Sequence, residues 1–428
     1  MPSPEPKEKI QRILTELAAT LEREWPQGEV HINEIEDLAQ RASDQLRREV
    51  TQEILGEQSR RRAGNQVACS CGGRAVYRGD YSLPYVTGHG RMPVHRAYFY
   101  CAQCKQGHCP LDRVWGLGPA NTTPTVQALV AAFAVEVAYT RSMGLLERAG
   151  VPFHLGTKSI ELIAQGVGRE VQQNPPRLST RAERSLAVAV DGTIMPTRDG
   201  GKEVRCGVIY EPDWDAGRTP AAERGLRKEY FATTASRDQL IQSVCAQVER
   251  RRPTPETVVA ALGDGAPWIW RGYAKYLPQR LEILDFYHVV THLKAAADAW
   301  YGEGTEKGKL WIAAMKGALK GGGPDMLLRS LRAWRPTTAA GKRVRTRELG
   351  YFRKNRQRMN YHAYLEQGLA IGSGSVEGAC KQVVGGRFKR AGMRWNVATA
   401  EPLLHLRAAV LSQPGLDLRQ YVTAPMLA

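Results

Sequence analysis

Two runs of apolar residues, each followed by an Asp-Gly pair, place the strongest constraint on how this chain can fold. LAVAV precedes Asp191-Gly192, and VVAALG precedes Asp264-Gly265. Consecutive apolar residues of this length predict strands that are buried on both faces of a sheet. One Asp-Gly pair alone is more often a turn, but a buried carboxylate at a strand end is costly unless it is paired or binds a cation. The repetition favours a metal site built on Asp191 and Asp264.

The segments around these two runs predict the order of the other elements. Two further strands, EVRCGVIYEP and EYFATTA, follow the first run, and an amphipathic helix covers about 238–250. After the second run come the helix WIWRGYAKYL and the strand LEILDFYHV, which contains Asp285 and His288. This is the order of elements in a ribonuclease H-like fold: three strands, a helix, a strand, a helix and a strand. We therefore expect an α/β catalytic domain at 181–428, with a mostly helical insertion at about 292–369.

A third acid would complete an oxygen-ligand site for two Mg²⁺ or Mn²⁺ ions. Two such ions activate water or a 3′ hydroxyl and stabilise the leaving oxygen during attack at phosphorus. The candidate is Glu377, in the stretch IGSGSVEGACKQVVGGRFKRAGMRW. The alternative is an ordinary helix start, in which Ser375 is the N-cap and an acid in the first turn complements the helix dipole.

The charge of the chain indicates a polyanionic partner. Its 428 residues include 60 Lys and Arg against 43 Asp and Glu, a formal net charge of +17. Such an excess favours nucleic acid through charge attraction and counterion release; a basic protein without a nucleic-acid role is the alternative. No apolar run has the length of a membrane span, and the start lacks the pattern of a secretory signal. We expect a cytoplasmic protein of several domains that does not associate with a membrane.

Five of the eight cysteines lie within about forty residues and end at Cys109. In a reducing compartment, such clustering favours metal binding over disulfides. Residues 65–117 read as short strands with one cysteine pair before them and one after, which is the arrangement of a zinc ribbon. The predicted ligands of a structural Zn²⁺ are Cys69, Cys71, Cys101 and Cys104. Because the first pair has one intervening residue, His108 or Cys109 could replace a ligand, and reduced structural cysteines are the alternative.

Helical periodicity marks two further regions, 1–64 and 118–180. The second region resembles a helix-turn-helix module. It has a helix that ends near Gly150, a short VPF turn and a helix entered through Gly156. Lys158 and Ser159 would then contact DNA from the start of the second helix. An ordinary helical hairpin is the alternative.

Two blocks of the sequence resemble bacterial insertion-sequence transposases of the DDE type, in the Kra-type group related to the Mutator-like transposases. The blocks are GDGAPWIWRGYAKYLPQRLEILDFYHVVTHL and GSGSVEGACKQVVGGRFKRAGMRW. The resemblance extends from the zinc ribbon to about Leu406. It implies that Asp191, Asp264 and Glu377 are the catalytic acids. It also implies a nucleoid-associated enzyme that binds double-stranded DNA at element ends, cleaves and joins strands, and acts as a homodimer or higher multimer.

The chain departs from the family pattern at two places. Asp285 and His288 match the position of a Cys-x-x-His element in the Mutator relatives, with aspartate in place of cysteine, and would lie beside the metal site. Ser375 stands where many relatives carry proline. Because Asp285 also follows an apolar stretch, it competes with Asp264 as second acid; the element order favours Asp264, which we expect to lie nearer to Asp191.

Basic residues predicted to contact DNA phosphates cluster in the insertion and after the third acid, where a solvated charged face is the alternative. They are Arg343, Arg345, Arg347, Arg353, Lys354, Arg356 and Arg358, then Lys381, Arg387, Lys389, Arg390 and Arg394. A nuclease or resolvase that cleaves without joining, and a domesticated DNA-binding protein with an idle site, are the competing functions.

Overall fold

The structure of the protein, a computed structural model, describes residues 6–59, 64–176, 186–211, 228–252, 254–372 and 374–422. The chain is mixed α/β and forms two compact units. The first extends to Glu170 and includes the C-terminal segment that begins at Asp417; the second is Val171–Leu416. The predicted helical module at 118–180 therefore crosses the boundary between the units.

The first unit begins with a helical hairpin, α1 (Pro6–Glu24) and α2 (Ile32–Ser59). A four-stranded antiparallel sheet follows, ordered β1-β2-β3-β4. Its strands are β1 (Gln66–Ala68), β2 (Arg74–Thr87), β3 (Gly90–Cys101) and β4 (Gln106–His108). The helical region and the hairpin flanked by cysteine pairs thus form as the sequence indicated.

The helices after this sheet are α3 (Pro110–Val114), α4 (Pro124–Glu136), α5 (Tyr139–Arg148) and α6 (Thr157–Gln173). Residues 149–156 connect α5 to α6. The two helices end and begin within two residues of the predicted positions, but their connection is longer than the turn of about three or four residues in a helix-turn-helix. Among the described residues no single helix is long and apolar enough to cross a membrane; α4 and α5 satisfy the criteria of length and composition only together, as a pair bent by 119°.

The second unit is built on a five-stranded sheet ordered β7-β6-β5-β8-β9. Its strands are β5 (Leu186–Thr197), β6 (Gly200–Tyr210), β7 (Glu229–Thr233), β8 (Val259–Gly263) and β9 (Arg280–Leu284). β6 pairs antiparallel with β5 and β7, while β8 pairs parallel with β5 and β9. The connecting helices are α7 (Arg237–Arg251), α8 (Pro267–Tyr276) and α9 (Phe286–Tyr301). All of β8 and the first five residues of β5 are buried, as the apolar runs predicted.

Two predicted strand ends are wrong. β5 does not stop at Asp191 but continues to Thr197, because its second half forms an antiparallel hairpin with β6. The last strand does not reach His288 but ends at Leu284, because the side chain of Asp285 caps the following helix α9.

The region predicted as an insertion is helical. It contains most of α9, then α10 (Glu306–Gly322), α11 (Asp325–Ala333), α12 (Ala339–Lys354) and α13 (Tyr361–Glu366). The chain continues through α14 (Gly374–Ala379), a π-helical turn (Cys380–Gly385), α15 (Gly386–Phe388) and α16 (Val397–Ser412).

Glu401 joins α16 to the edge strand β7. Its carboxylate accepts hydrogen bonds from the Thr234 amide at 2.7 Å, the Thr234 hydroxyl at 2.6 Å and the Thr233 hydroxyl, and it pairs with His405 at 3.1 Å. Burial raises the pKa of Glu401, but the hydrogen bonds outweigh burial and lower the pKa to about 2. The ionised carboxylate therefore stabilises the folded chain above its ordinary pKa, and this stabilisation is lost as the pH falls towards 2.

Replacing Glu401 by glutamine should lower the free energy of unfolding by about 1–3 kcal/mol at pH 7, because the amide makes weaker hydrogen bonds and its NH₂ group faces donors. The difference from wild type should shrink as the pH falls from about 4.5 to 2. Urea unfolding at several pH values measures both effects, with exposed Glu256→Gln as the control. Equal stability of the two variants at pH 7 would contradict this role.

Candidate functional site

Parallel pairing brings three aspartates to one edge of the five-stranded sheet. β5 pairs with β8 as far as Ala189, and β8 pairs with β9 as far as Gly263. Asp191, Asp264 and Asp285 follow these last pairs within two residues. The carboxyl ends of parallel strands open at the same edge, which is where sheets of this kind bind ligands. The three acids therefore belong to one cluster, the aspartate cluster.

Asp191 is the most perturbed member of this cluster. Removal from solvent raises the pKa of Asp191, and repulsion from Asp264 and, less strongly, from Asp285 raises it further. A hydrogen bond from the Gly192 amide at 2.7 Å and the positive potential of His288 oppose the shift. Burial and two neighbouring acids therefore disfavour the charged form of Asp191.

A tight turn fixes Asp264. Its Oδ1 accepts a hydrogen bond from the Ala266 amide at 2.8 Å, and its backbone carbonyl accepts one from the Tyr351 hydroxyl at 2.7 Å. Gly265 has φ +100°, and a Cβ at that position would lie 2.7 Å from the Tyr351 ring. The turn therefore requires glycine for both its conformation and its packing.

Asp285 has a structural task in addition to its predicted place beside the metal site. The side chain is 4% exposed, and its two oxygens accept hydrogen bonds from the amides of Tyr287 and His288, each at 3.1 Å. The Asp285 amide also donates to the Gly263 carbonyl at 2.9 Å. Asp285 thus caps α9 and ties the start of that helix to the end of β8.

Glu377 is placed differently from the aspartates. It is exposed on α14 and forms an ion pair with Lys381 at 2.7 Å. Among the described residues, one group of three or more His, Cys, Asp or Glu has ligand atoms within 4.8 Å of one another, and it is the four cysteines. Neither the three aspartates of the cluster nor Asp191, Asp264 and Glu377 together form such a group. α14 begins at Gly374, so Ser375 lies in its first turn and not at the predicted N-cap position.

Sequence reasoning missed Glu348, which connects the helical insertion to α9. Glu348 is completely buried; its Oε2 lies 2.5 Å from His292 Nδ1, and its Oε1 lies 2.6 Å from the Arg347 guanidinium. Burial raises the pKa of Glu348, but His292 and Arg347 outweigh this and lower it. The His292 ring stacks on Tyr351 at 3.7 Å and lies 5.3 Å from the His288 ring. Glu348 therefore belongs to the contacts that hold α12 beside the aspartate cluster.

A signal for Glu348 was present in the sequence. Val344 and Phe352 lie four residues before and after it, on the same face of a helix, and Phe352 is fully buried. An acid on the apolar face of a basic helix needs a buried partner.

The cations predicted to contact DNA fall into two groups. Arg387 is 1% exposed and lies 4.9 Å from the Trp395 ring centre, so direct phosphate contact does not fit its position. Arg345 donates to the carbonyls of residues 331 and 332, and Arg358 pairs with Glu282 at 2.6 Å; both are half-buried and have structural tasks. Ser159 is also half-buried. The exposed cations are Lys158, Arg343, Arg347, Arg353, Lys354, Arg356, Lys381, Lys389, Arg390 and Arg394.

The cysteine cluster lies in the first unit, at one end of the four-stranded sheet. Its members, Cys69, Cys71, Cys101 and Cys104, have ligand atoms that all lie within 4.8 Å of one another. The sulfurs of residues 69 and 104 are 3.6 Å apart, and those of 71 and 101 are 3.7 Å apart. A tetrahedral zinc with bonds of about 2.3 Å separates its sulfurs by about 3.8 Å. The cluster is therefore compatible with structural Zn²⁺, and it contains neither His108 nor Cys109.

The pKa values of two thiols in this cluster are shifted in opposite directions. The Cys71 amide lowers the pKa of Cys69 to about 7, an effect that burial opposes. The Gln106 amide lowers the pKa of Cys104, but burial and the neighbouring thiols raise it to about 12. Four thiols this close cannot all ionise alone, so a cation is required for them to act together as thiolates.

Neither protein-family models nor curated proteins give a match when compared with this chain. The two candidate centres therefore stand on the geometry of their own residues.

Cys101→Ser or Cys104→Ser should remove bound zinc and lower the unfolding temperature of the first unit, because a closed zinc site contributes directly to folding. Cys109→Ser is the matched control and should keep one zinc per chain. Elemental analysis of protein purified without chelator measures this content. Zinc absent from the wild type, or lost in Cys109→Ser, would contradict the four-cysteine site.

Proposed function

We propose that the chain is a DNA transposase of the DDE type whose second unit is a ribonuclease H-like catalytic core. The observation that carries this proposal is the aspartate cluster, in which Asp191 is subject to repulsion from Asp264 and Asp285 at the carboxyl edge of the parallel strands. The strand order β7-β6-β5-β8-β9 supports it, since three antiparallel strands followed by two parallel ones agree with the predicted order of elements.

The proposed catalytic acids are Asp191, Asp264 and Glu377. Two Mg²⁺ or Mn²⁺ ions held by them would supply activation of the attacking oxygen and neutralisation of charge at phosphorus. Asp191 and Asp264 are anchored by backbone hydrogen bonds, so they are already fixed before DNA arrives. Glu377 would exchange its ion pair with Lys381 for a metal, which frees Lys381 to pair with a phosphate.

Asp285, Glu348 and Tyr351 hold the segments around the proposed metal site in place. Asp285 fixes the start of α9, and therefore the place of His288, through the helix cap. The contacts of Glu348 with His292, and of Tyr351 with the Asp264 carbonyl, hold the turn that carries Asp264 against α12. We assign Asp285, His288 and Glu348 to positioning and Asp264 to the metals.

The exposed cations of α12 and of the segment after α14 would neutralise DNA phosphates. Arg343, Arg353 and Lys354 form no ion pair with a described residue and are available for this. The zinc ribbon and the helices of the first unit would recognise the element ends. Because two ends must be brought together for joining, the active form would be at least a dimer.

Asp191→Asn, Asp264→Asn and Glu377→Gln should each reduce DNA strand cleavage by at least about 100-fold, because each removes a charge needed for the metal site. DNA binding should stay within about threefold of wild type, since it depends on cations elsewhere. The assay uses duplex DNA that carries the flanks of the chain's own gene, with Mg²⁺ and mapping of cut and joined ends. Asp298→Asn on α9 is the control.

Cleavage and joining are scored separately. Cut ends without joined products would indicate a nuclease or resolvase, and DNA binding without either product would indicate an idle site. Wild-type cleavage by any one of the three variants would remove that residue from the catalytic set.

A further inference from the structure

A groove lies between the start of α9 and the start of α14, the helix that carries Glu377. It is open and has a volume of about 730 Å³. Phe286 and Tyr287, which line it, follow Asp285 directly, and Ser375, which also lines it, is two residues before Glu377. The Phe286 amide donates to the Ile371 carbonyl at 2.9 Å and ties the two segments together. The groove therefore lies between the helix that Asp285 caps and the segment that leads to Glu377.

Tyr287 provides an exposed aromatic surface in this groove. Its side chain is 65% exposed, which is high for a tyrosine inside a folded unit. The ring lies against Gly372, where an added Cβ would be 2.6 Å from the Tyr287 ring. The ring is thus supported on one side by backbone and accessible on the other, as an aromatic platform requires.

The charge of the groove is positive. Lys316 and Lys320 of α10 line it, and neither forms an ion pair with a described residue. Lys320 Nζ lies 4.8 Å from the Phe286 ring centre. Among the described residues that line the groove there is no aspartate or glutamate, and the rest are mostly apolar or glycine. An occupant with a flat apolar face and a negative charge complements these walls.

We propose that this groove binds one unpaired nucleotide of the DNA, with its base stacked on Tyr287 and its phosphate between Lys316 and Lys320. The proposal rests on the proposed function for the identity of the ligand as DNA. Aromatic side chains hold unpaired bases by stacking without reading their sequence, and a positively charged groove beside them holds the phosphate backbone. A nucleotide held here would fix the neighbouring strand beside Asp191 and Asp264.

The test is equilibrium binding by fluorescence anisotropy to two duplexes made from the flanks of the chain's own gene. One is fully paired, and the other carries a single unpaired nucleotide placed in turn along the end. Wild-type protein should bind one of the unpaired duplexes about tenfold more tightly, within the range of a single base-on-aromatic stack. Tyr287→Ala should abolish this preference, while Tyr287→Phe should keep it.

The lysine variants test the phosphate contact. Lys316→Ala and Lys320→Ala should weaken binding of the unpaired duplex more than of the paired one and reduce its dependence on salt. Tyr276→Ala, on α8, is the control for loss of a tyrosine elsewhere, and circular dichroism checks that each variant is folded.

The outcomes separate this proposal from the proposed function. DNA that is bound and cleaved with the same preference in wild type and Tyr287→Ala overturns the groove and leaves the transposase proposal standing. If the wild-type protein binds the paired duplex and every unpaired duplex equally well, the groove proposal is also overturned and the transposase proposal still stands. Failure to bind either duplex at low salt overturns both proposals.

Discussion

The parallel pairing of β5, β8 and β9 is the constraint on which the second unit depends, because it places Asp191, Asp264 and Asp285 at one edge of the sheet. Burial there raises the pKa of Asp191, and repulsion from the other two acids raises it further. The parallel pairing of β5, β8 and β9 rests on buried apolar residues, so the acids that follow these strands cannot separate without breaking the core. The protein offsets part of the repulsion with the Gly192 amide and His288. Three features fix the segments around these acids. They are the turn at Gly265, the helix cap made by Asp285 and the buried pair of Glu348 and His292.

The parts of the fold that follow from local sequence could be predicted. LAVAV and VVAALG have no polar face, so they had to be buried strands, and their order with the intervening helices gave the α/β arrangement. The spacing of the cysteine pairs predicted the cluster at residues 69, 71, 101 and 104, and the four sulfurs are together. The strands follow from contiguous apolar runs, and the cysteine cluster follows from two local pairs that the hairpin of β2 and β3 brings together.

The parts that depend on distant partners could not be predicted. β5 extends past Asp191 because its end is held by β6 and by Trp395, whose amide donates to the Pro196 carbonyl at 3.1 Å. Arg387 reads as one more cation in a basic segment, yet its neighbours bury it over an aromatic ring. The sequence places Glu348 on the apolar face of its helix, but it does not show that His292 of α9 is the buried partner. Charge counts describe a segment, whereas burial is decided by the elements that pack on it.

We propose that Asp191 and Asp264 share divalent cations, and diffraction from crystals of the zinc-containing protein grown with Mn²⁺ tests this most directly. Data collected at the manganese absorption edge should show an anomalous peak between the carboxylates of Asp191 and Asp264. The peak should disappear in Asp191→Asn, while the zinc signal at the cysteine cluster remains. Crystals that contain Mn²⁺ but show no peak at these two carboxylates would contradict shared binding.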